Sequence, residues 1–383
     1  ISPAIFHGLT EYPLAMVLAC LCRTVPGEKT DERSRRLDWI IPIALGLLMI
    51  ALVFGGRSLH VARTGVTFKL LIAAPILISY AFIQRPLRFA LCIGACLLGG
   101  PLFGGILGTT IHVERNFFGV VRVTIDDTGK FVQIAHGTTI HGAQNRDPAL
   151  RRVPLTYYTT TGPVGQVFKA FRSTAPAAPA PLRQVAVIGL GAGTMAPYRR
   201  PNEAWTYFEI DPAVISIAEN PEYFTYLSDA FPDREHLNIV LGDARLKLHD
   251  APDHGYDLLV VDAFSSDSIP AHLLTREAIA LYFSKLTPHG LLIVHISNRY
   301  LDLEPVFANL ARDAGLVSRI RNDLLVQDDE LAQGKTPSQW VVLTTTEANL
   351  ATLADDVRWV PMRTNDARVW TDDFSNLLSV YKW

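Results

Sequence analysis

Residues 184–193 read Gln184-Val185-Ala186-Val187-Ile188-Gly189-Leu190-Gly191-Ala192-Gly193: a short apolar run, then three glycines at alternate positions. A run of that length and composition reads as a buried strand. Glycines at its end let the backbone turn sharply and approach a ligand, with the N-terminus of a following helix favouring polar groups. Alone, such a turn is also what any tight strand-to-helix connection looks like, so the residues downstream decide. Trp205-Thr206-Tyr207-Phe208-Glu209-Ile210-Asp211 is a second strand ending in acids, and Pro212 to about Asn220 reads as helical. Asn238–Ala244 is a third strand closing on Asp243, Tyr256–Asp262 a fourth closing on Asp262, and Gly290–Ser297 a fifth. Strands alternating with helical segments predict a parallel sheet with helices on both faces. Ligands of such sheets bind at the carboxyl ends of the strands, where the glycine turn, Glu209, Asp243 and Asp262 all fall.

Each acid has a chemical reason to be there. Glu209 lies 20 residues after Gly189, at the end of the next strand, where a carboxylate hydrogen-bonds ribose hydroxyls. Asp243 closes the third strand, where it can accept from an exocyclic adenine amine. Gly189, Gly191 and Gly193, with Glu209, Asp211, Asp243 and Ala244, form the expected nucleoside-binding set. Met195 and Ala196 follow Gly193, so the pyrophosphate fingerprint is incomplete and an adenosyl ligand fits better than a dinucleotide. Asp262 can accept a proton from an attacking amine or hydroxyl; capping the turn after it is the plainer alternative.

The first third of the chain is different. The 383 residues are 49% hydrophobic and 19% charged, with mean hydropathy +0.20, and nearly all the long apolar runs precede residue 112. Trp39–Phe54, Val66–Ile83 and Leu87–Ile111 approach the length needed to cross a bilayer, about 20 residues, and Tyr12–Cys22 is about half of one. The expectation is a transmembrane region over 1–111 with three full spans and a partial one, in a multi-pass bacterial inner-membrane protein. Arg23, Lys29, Arg33, Arg35 and Arg36 make the loop before the first full span cytoplasmic. Three spans then put the C-terminal domain on the other side, unless Gly99-Gly100-Pro101 and Gly104-Gly105 break the last run into a re-entrant segment. Such a break would leave the domain cytoplasmic. The chain begins at Ile1 with no signal-peptide n-region, and sequence upstream of it is expected.

Other function classes are set aside. A net charge of −2 supplies no basic field for nucleic acid. Cys20, Cys22, Cys92 and Cys96 all sit in apolar runs, which speaks for buried small hydrophobes over disulfides or a zinc cluster. His136 and His141 have no Cys or acid at metal spacing beside them, so they are expected to shape a substrate mouth or cap a hairpin, with no metal. The alternation over Val120–Ile125 and Phe131–Ile134, around Asp126-Asp127-Thr128-Gly129, predicts a β-hairpin. The organisation expected is a β-rich element over 112–172, a Pro/Ala linker over 173–183, and an α/β Rossmann-like domain over 184–383.

Residues 113–300 resemble the spermidine/spermine synthase family, most of all its bacterial membrane-fused branch. The segments that carry the resemblance are His136–Gly142, Pro154-Leu155-Thr156-Tyr157-Tyr158, the Gly189 turn, Phe208–Asp211, Gly242-Asp243-Ala244 and Asp262–Pro270; Trp370–Asn376 and Glu11-Tyr12-Pro13 suit the membrane-fused group. The resemblance implies a class I methyltransferase-type fold, Asp262 as proton acceptor with Tyr158 beside it, and Glu209 and Asp243 as ribose and adenine contacts. It implies an aminopropyl transfer from decarboxylated S-adenosylmethionine to an amine, with methylthioadenosine released, and a homodimer as the usual assembly. His136, His141, Tyr157, Asp267, Asp372 and Asp373 are candidate substrate contacts. Departures qualify this. The family's acid within the glycine turn is Ala192 here, the Asp262–Pro270 loop is two residues longer, and a cofactor-binding Gln is replaced within Asn116-Phe117-Phe118-Gly119. Methyl transfer from S-adenosylmethionine is the rival reading, and a non-catalytic adenosyl sensor a third. A membrane location would admit a lipid-like acceptor as readily as a small amine.

Overall fold

A computed structural model describes residues 11–24, 31–58, 66–99, 107–172, 181–263 and 270–382. The chain divides into two compact units, residues 1–127 and 128–383.

The first unit holds helices α1 (Glu11–Leu21), α2 (Glu32–Ser58), α3 (Val66–Tyr80) and α4 (Pro86–Gly99), then strands β1 (Thr109–Asn116) and β2 (Gly119–Ile125), paired antiparallel. Leu45 and Met49 of α2 pack on Cys92 and Cys96 of α4. Arg88 Nε donates to Asp38 Oδ1 at 2.9 Å, and both side chains are nearly buried.

The expectation of transmembrane spans is corrected here: no helix among the described residues is long and apolar enough to cross a membrane. With it go the transmembrane part of the expected fold and the multi-pass inner-membrane placement. The reason is length. Helices α3 and α4 have 15 and 14 residues, about 22 and 21 Å at 1.5 Å per residue, against a hydrocarbon core of about 30 Å. Helix α2 has 27 residues, but it opens on Glu32, Arg33, Arg35, Arg36 and Asp38. The run Leu87–Ile111 is not one element, because α4 stops at Gly99 and Ile111 lies in β1. The re-entrant break expected at Gly99-Gly100-Pro101 and Gly104-Gly105 falls, from Gly100 onward, outside the described residues.

The second unit opens with β3 (Phe131–His136) and β4 (Thr139–Asn145), paired antiparallel, and α5 (Pro163–Phe171). Residues 173–180 of the expected linker lie outside the described residues. The α/β part then runs β5 (Gln184–Ile188), β6 (Ala204–Glu209), α6 (Pro212–Glu219), α7 (Tyr226–Ala230), β7 (Leu237–Leu241), α8 (Ala244–His249) and β8 (Tyr256–Val261). It finishes with α9 (Arg276–Lys285), β9 (Leu286–His295), α10 (Glu304–Asp313), β10 (Val317–Asp323), α11 (Asp328–Ala332) and β11 (Ser338–Thr344).

Seven strands form one sheet in the order β10-β11-β9-β8-β5-β6-β7. The steps β5–β6, β6–β7, β5–β8 and β8–β9 are parallel, and β11 runs antiparallel to both β9 and β10. Counted from β5, the order is 3-2-1-4-5-7-6 with one reversed strand, the class I methyltransferase-type sheet. Period-2 alternation divides its faces. Ala186, Ile188, Leu259, Val261, Leu292 and Val294 join the core that α9 and α10 cover with Ile279, Tyr282, Phe307 and Leu310. On α5, Phe168 stacks between Tyr198 and Trp205, with ring centroids 4.5 and 5.6 Å away. Each buried side chain of this size removes apolar surface worth about 1.5–3 kcal/mol.

One local expectation fails. No helix of ordinary length follows the glycine turn; a single 3-10 turn, Ala196–Tyr198, stands there. Pro197 and Pro201 remove amide donors and push the residue before each away from helical backbone.

Candidate active site

The carboxyl ends of β5, β6, β7, β8 and β9 converge because the strand order reverses between β5 and β8, which opens a crevice at their ends. Gly189 must be glycine: its φ is +97°, and a Cβ there would sit 2.2 Å from the Asp262 carbonyl oxygen. Gly191, at φ +54°, would put a Cβ 2.2 Å from the carbonyl of His141 on β4, so β4 lies directly against the turn. Glu209 braces the same turn. Its Oε2 accepts from the Leu190 amide at 2.9 Å, and its Oε1 from the amides of Ile210 and Asp211 at 2.8 and 3.0 Å. Burial raises the Glu209 pKa against the pull of those three amides. A carboxylate has about four acceptor positions, so one remains for a ribose hydroxyl.

Asp262 follows β8 directly and is the centre of the site. Its side chain is 4% exposed. The Tyr158 hydroxyl donates to Oδ2, and His295 Nδ1 lies 2.8 Å from Oδ1. Burial alone would raise the Asp262 pKa; the charge and hydrogen bond of His295, the Tyr158 hydroxyl and His141 outweigh it, and the carboxyl lies below its ordinary value. Tyr157 and Tyr158 are both pushed well above the ordinary phenol value, by burial and then by the Asp262 charge. The two tyrosines are set by the residue before them. Thr156 adopts φ +58°, exchanges main-chain hydrogen bonds with Gly334 and Thr336, and so turns the chain into the site. Tyr198 Oη donates to the Tyr158 carbonyl at 2.6 Å.

The remaining expected residues divide. His136 and His141 come together with ring centroids 5.1 Å apart, and the buried Nε2 of each makes no hydrogen bond. Burial, then the neighbouring His136, pushes the His141 pKa down to about 4 against the Asp262 carboxylate. His136 Nε2 is 3.5 Å from Asp211 Oδ2, while Asp211 Oδ1 caps α6 through the Ala213 amide at 2.8 Å. Asp243 caps α8 through the Leu246 amide at 3.0 Å and pairs with His272 Nε2 at 3.1 Å; Ala244 opens that helix. Asp372 is held by Arg245 through two bonds of 2.6 Å and by the Thr275 hydroxyl at 2.8 Å, away from the Asp262 cluster in its bonding. Asp373 is exposed, and Asp267 lies outside the described residues. Among the described residues no group of three or more His, Cys, Asp or Glu side chains could hold a metal ion.

The sequence reading missed His295, Ser297 and Trp340. His295 Nε2 is 2.7 Å from Ser297 Oγ, and its ring is stacked between Tyr157 at 4.3 Å and Trp340 at 4.7 Å. The signal was available: His295-Ile296-Ser297 closes the fifth strand, the same kind of position that marked Glu209, Asp243 and Asp262.

No protein-family profile matches the chain. Over 207 residues the chain is 28% identical to the polyamine aminopropyltransferase of Vibrio vulnificus (strain CMCP6), a stretch that is 52% of this chain and 63% of that protein. The matched stretch thus spans less than two thirds of that relative's length. Among solved structures, a probable spermidine synthase from Corynebacterium glutamicum ATCC 13032 shares 17% identity with a TM-score of 0.48, over 71% of this chain and 98% of that one. The spermidine synthase from Thermotoga maritima shares 15% with a TM-score of 0.44, over 62% and 73%. At low identity, then, the chain is similar to the polyamine aminopropyltransferases and spermidine synthases.

Proposed function

We propose that the second unit is a transferase that takes an S-adenosylmethionine-type donor and moves its aminopropyl group to a small amine. The observation that carries this reading is the Asp262 carboxylate, buried beside the glycine turn and receiving hydrogen bonds from Tyr158 and His295. The residues present fit the donor. Glu209 keeps one acceptor position at the strand end, and His136 and His141 keep buried ring nitrogens without hydrogen bonds. When bound, the decarboxylated donor supplies an electrophilic carbon next to a sulfonium that departs as a neutral thioether. The chain's own residues do the rest. The glycine turn and Glu209 fix the nucleoside end, Tyr158 orients the acceptor amine, and Asp262 takes the proton that the amine sheds as it forms its new bond to carbon. Positioning carries most of the rate, since holding two reactants in line is worth up to about 7–11 kcal/mol.

Methyl transfer from S-adenosylmethionine is favoured by one observation. Ala192 is fully buried, and a Cβ added at Gly142 would lie 2.7 Å from its own Cβ. The position where the family resemblance expects an acid for the aminopropyl ammonium is therefore filled by backbone and has no carboxylate. Calorimetric titration with S-adenosylmethionine, its decarboxylated form, methylthioadenosine and S-adenosylhomocysteine separates the two. Tighter binding of the decarboxylated form and methylthioadenosine supports aminopropyl transfer. Preference for the other pair transfers the assignment to methylation, and binding of none of the four ends both readings.

A further inference from the structure

The hydrogen bonds around His295 have a direction at both ends. The Gln339 amide donates to Ser297 Oγ at 2.7 Å, and an amide N–H can only donate. That leaves the Ser297 hydroxyl hydrogen and a second lone pair to meet His295 Nε2, 2.7 Å away. An ionised Asp262 can only accept, so His295 Nδ1, which faces its Oδ1 at 2.8 Å, carries a proton. The contacts run from the Gln339 amide through Ser297 and His295 to Asp262. They end on a carboxylate whose other oxygen receives the Tyr158 hydroxyl. Tyr157 and Trp340 stack on the imidazole, at interplanar angles of 26° and 24°, and keep the ring from turning over.

We propose that His295 is the positioning residue of the Asp262 base: fixed as its Nδ1–H tautomer by the Gln339 amide and the Ser297 hydroxyl, it aims the Asp262 carboxylate and holds it ionised to receive the acceptor's proton. The proposal rests on the transferase reading for the identity of that acceptor. Donors on both oxygens favour the charged carboxylate. The titratable groups around Asp262 are His141 from β4, Tyr157 and Tyr158 from the segment after it, and His295 from β9. Of these, His295 is the one whose two ring nitrogens are both engaged. In the step itself an N–H bond of the acceptor ammonium breaks and the proton joins Asp262; the electron pair left on nitrogen forms the new bond to carbon as the carbon–sulfur bond breaks with its pair going to the departing thioether. His295 neither gains nor loses a proton.

Two measurements on the full chain test this. In long-range proton–nitrogen spectra of histidine-labelled protein, His295 should show a protonated Nδ1 and a bare Nε2, and Ser297→Ala should produce a tautomer mixture. A protonated Nε2 in the unsubstituted protein overturns the proposal. In transfer assays, His295→Ala should lower kcat by about 10- to 100-fold with little change in donor KM. It should also move the acid limb of the kcat/KM profile to higher pH, because the buried carboxyl loses a donor to its charged form. His295→Asn places an amide N–H where Nδ1–H stood and should restore most of the loss. An Asn variant as impaired as the Ala variant, or an unmoved pH profile, assigns His295 a packing role only. If the unsubstituted chain turns over no adenosyl donor, the transferase reading fails, while the spectra still decide the tautomer and its dependence on Ser297.

Discussion

Two apolar runs of this chain meet opposite fates. In α2, Trp39, Ile43 and Leu47 remain 59–62% exposed, whereas Leu258, Leu259 and Val260 of β8 are 0% exposed. Residue type alone does not separate the two stretches. What separates them is that β8 has a sheet neighbour on each edge and helices above its face, while the described side chains of α2 meet α4 along the stripe of Leu45, Met49, Cys92 and Cys96 and through the Arg88–Asp38 bond. An apolar run states that surface must be covered; the elements around it determine by what. The difference also governs chemistry, because only the second kind of packing places polar groups at strand ends and removes them from water.

The strongest way to break this contrast is to replace Asp262. Asp262→Asn keeps an oxygen for His295 Nδ1–H and should fold normally, with the melting temperature within a few degrees of the parent. It should lose transfer by about 10²- to 10⁴-fold, the usual contribution of a positioned base, read as release of methylthioadenosine or S-adenosylhomocysteine. Full activity in this variant would reduce the strand-end acid of β8 to a turn cap and remove the chemical half of the comparison.

Paired glycine substitutions sharpen its structural half. Gly191→Ala forces a side chain to φ +54° and onto the His141 carbonyl 2.2 Å away, which should cost about 3 kcal/mol or more. Gly55→Ala sits in α2 with nothing within 4 Å of the new Cβ and should stabilise that helix by about 0.5–1 kcal/mol. Denaturant melts with hydrogen exchange resolved by segment measure both. Similar effects at the two sites would mean that the glycine turn is no more constrained than a helix surface.

How far the site was legible follows from the same physics. Gln184–Ile188, Glu209, Asp243 and Asp262 were readable because period-2 apolar runs and strand-end acids are local signals, and the strand positions agree within a few residues. Strands β10 and β11 were not read, because Arg319, Arg321 and Asn322 interrupt the apolar pattern of β10, and no acid marks a ligand there. Contacts across long separations were not legible at all. Tyr158 and Asp262 are 104 residues apart in sequence, and their pairing was available only by resemblance; nothing in the spacing joins Asp262 to His295. The membrane reading failed for a related reason. Run length was counted, but the helix in Val66–Ile83 ends at Tyr80 before the turn at Ala81–Gln84, and the helix in Leu87–Ile111 ends at Gly99, so both are too short to span.

His141 carries a pH-dependent prediction of intermediate size. Its folded pKa, about 4, lies below the ordinary value near 6.5. Above pH 6.5 the ring is neutral in both the folded and unfolded chains and adds no pH dependence. Below it the unfolded chain takes up the proton first, so stability is lost between pH 6.5 and pH 4, by about 2 kcal/mol at pH 5. His141→Gln should remove this component, measured as the difference between variant and parent in urea midpoints at pH 7 and pH 5. An equal acid loss in both proteins would place the sensitivity elsewhere.

The smallest effect is expected at Asp372, and it tests whether an acid near a strand end is always a ligand. Its two oxygens are taken by the Arg245 guanidinium and the Thr275 hydroxyl, and the pair is partly exposed, at 20% and 43% of the side-chain surface. Bonded in this way the carboxylate is already neutralised and offers little net charge to an ammonium group. Asp372→Asn should therefore cost less than about 1 kcal/mol of stability, the usual range for exposed pairs. It should also leave the KM for the acceptor amine unchanged, because what it removes is a partner of Arg245. A tenfold rise in that KM with unchanged stability would show that Arg245 yields Asp372 to the substrate. The acid that looked like a surface pair would then belong to the same class as Asp262.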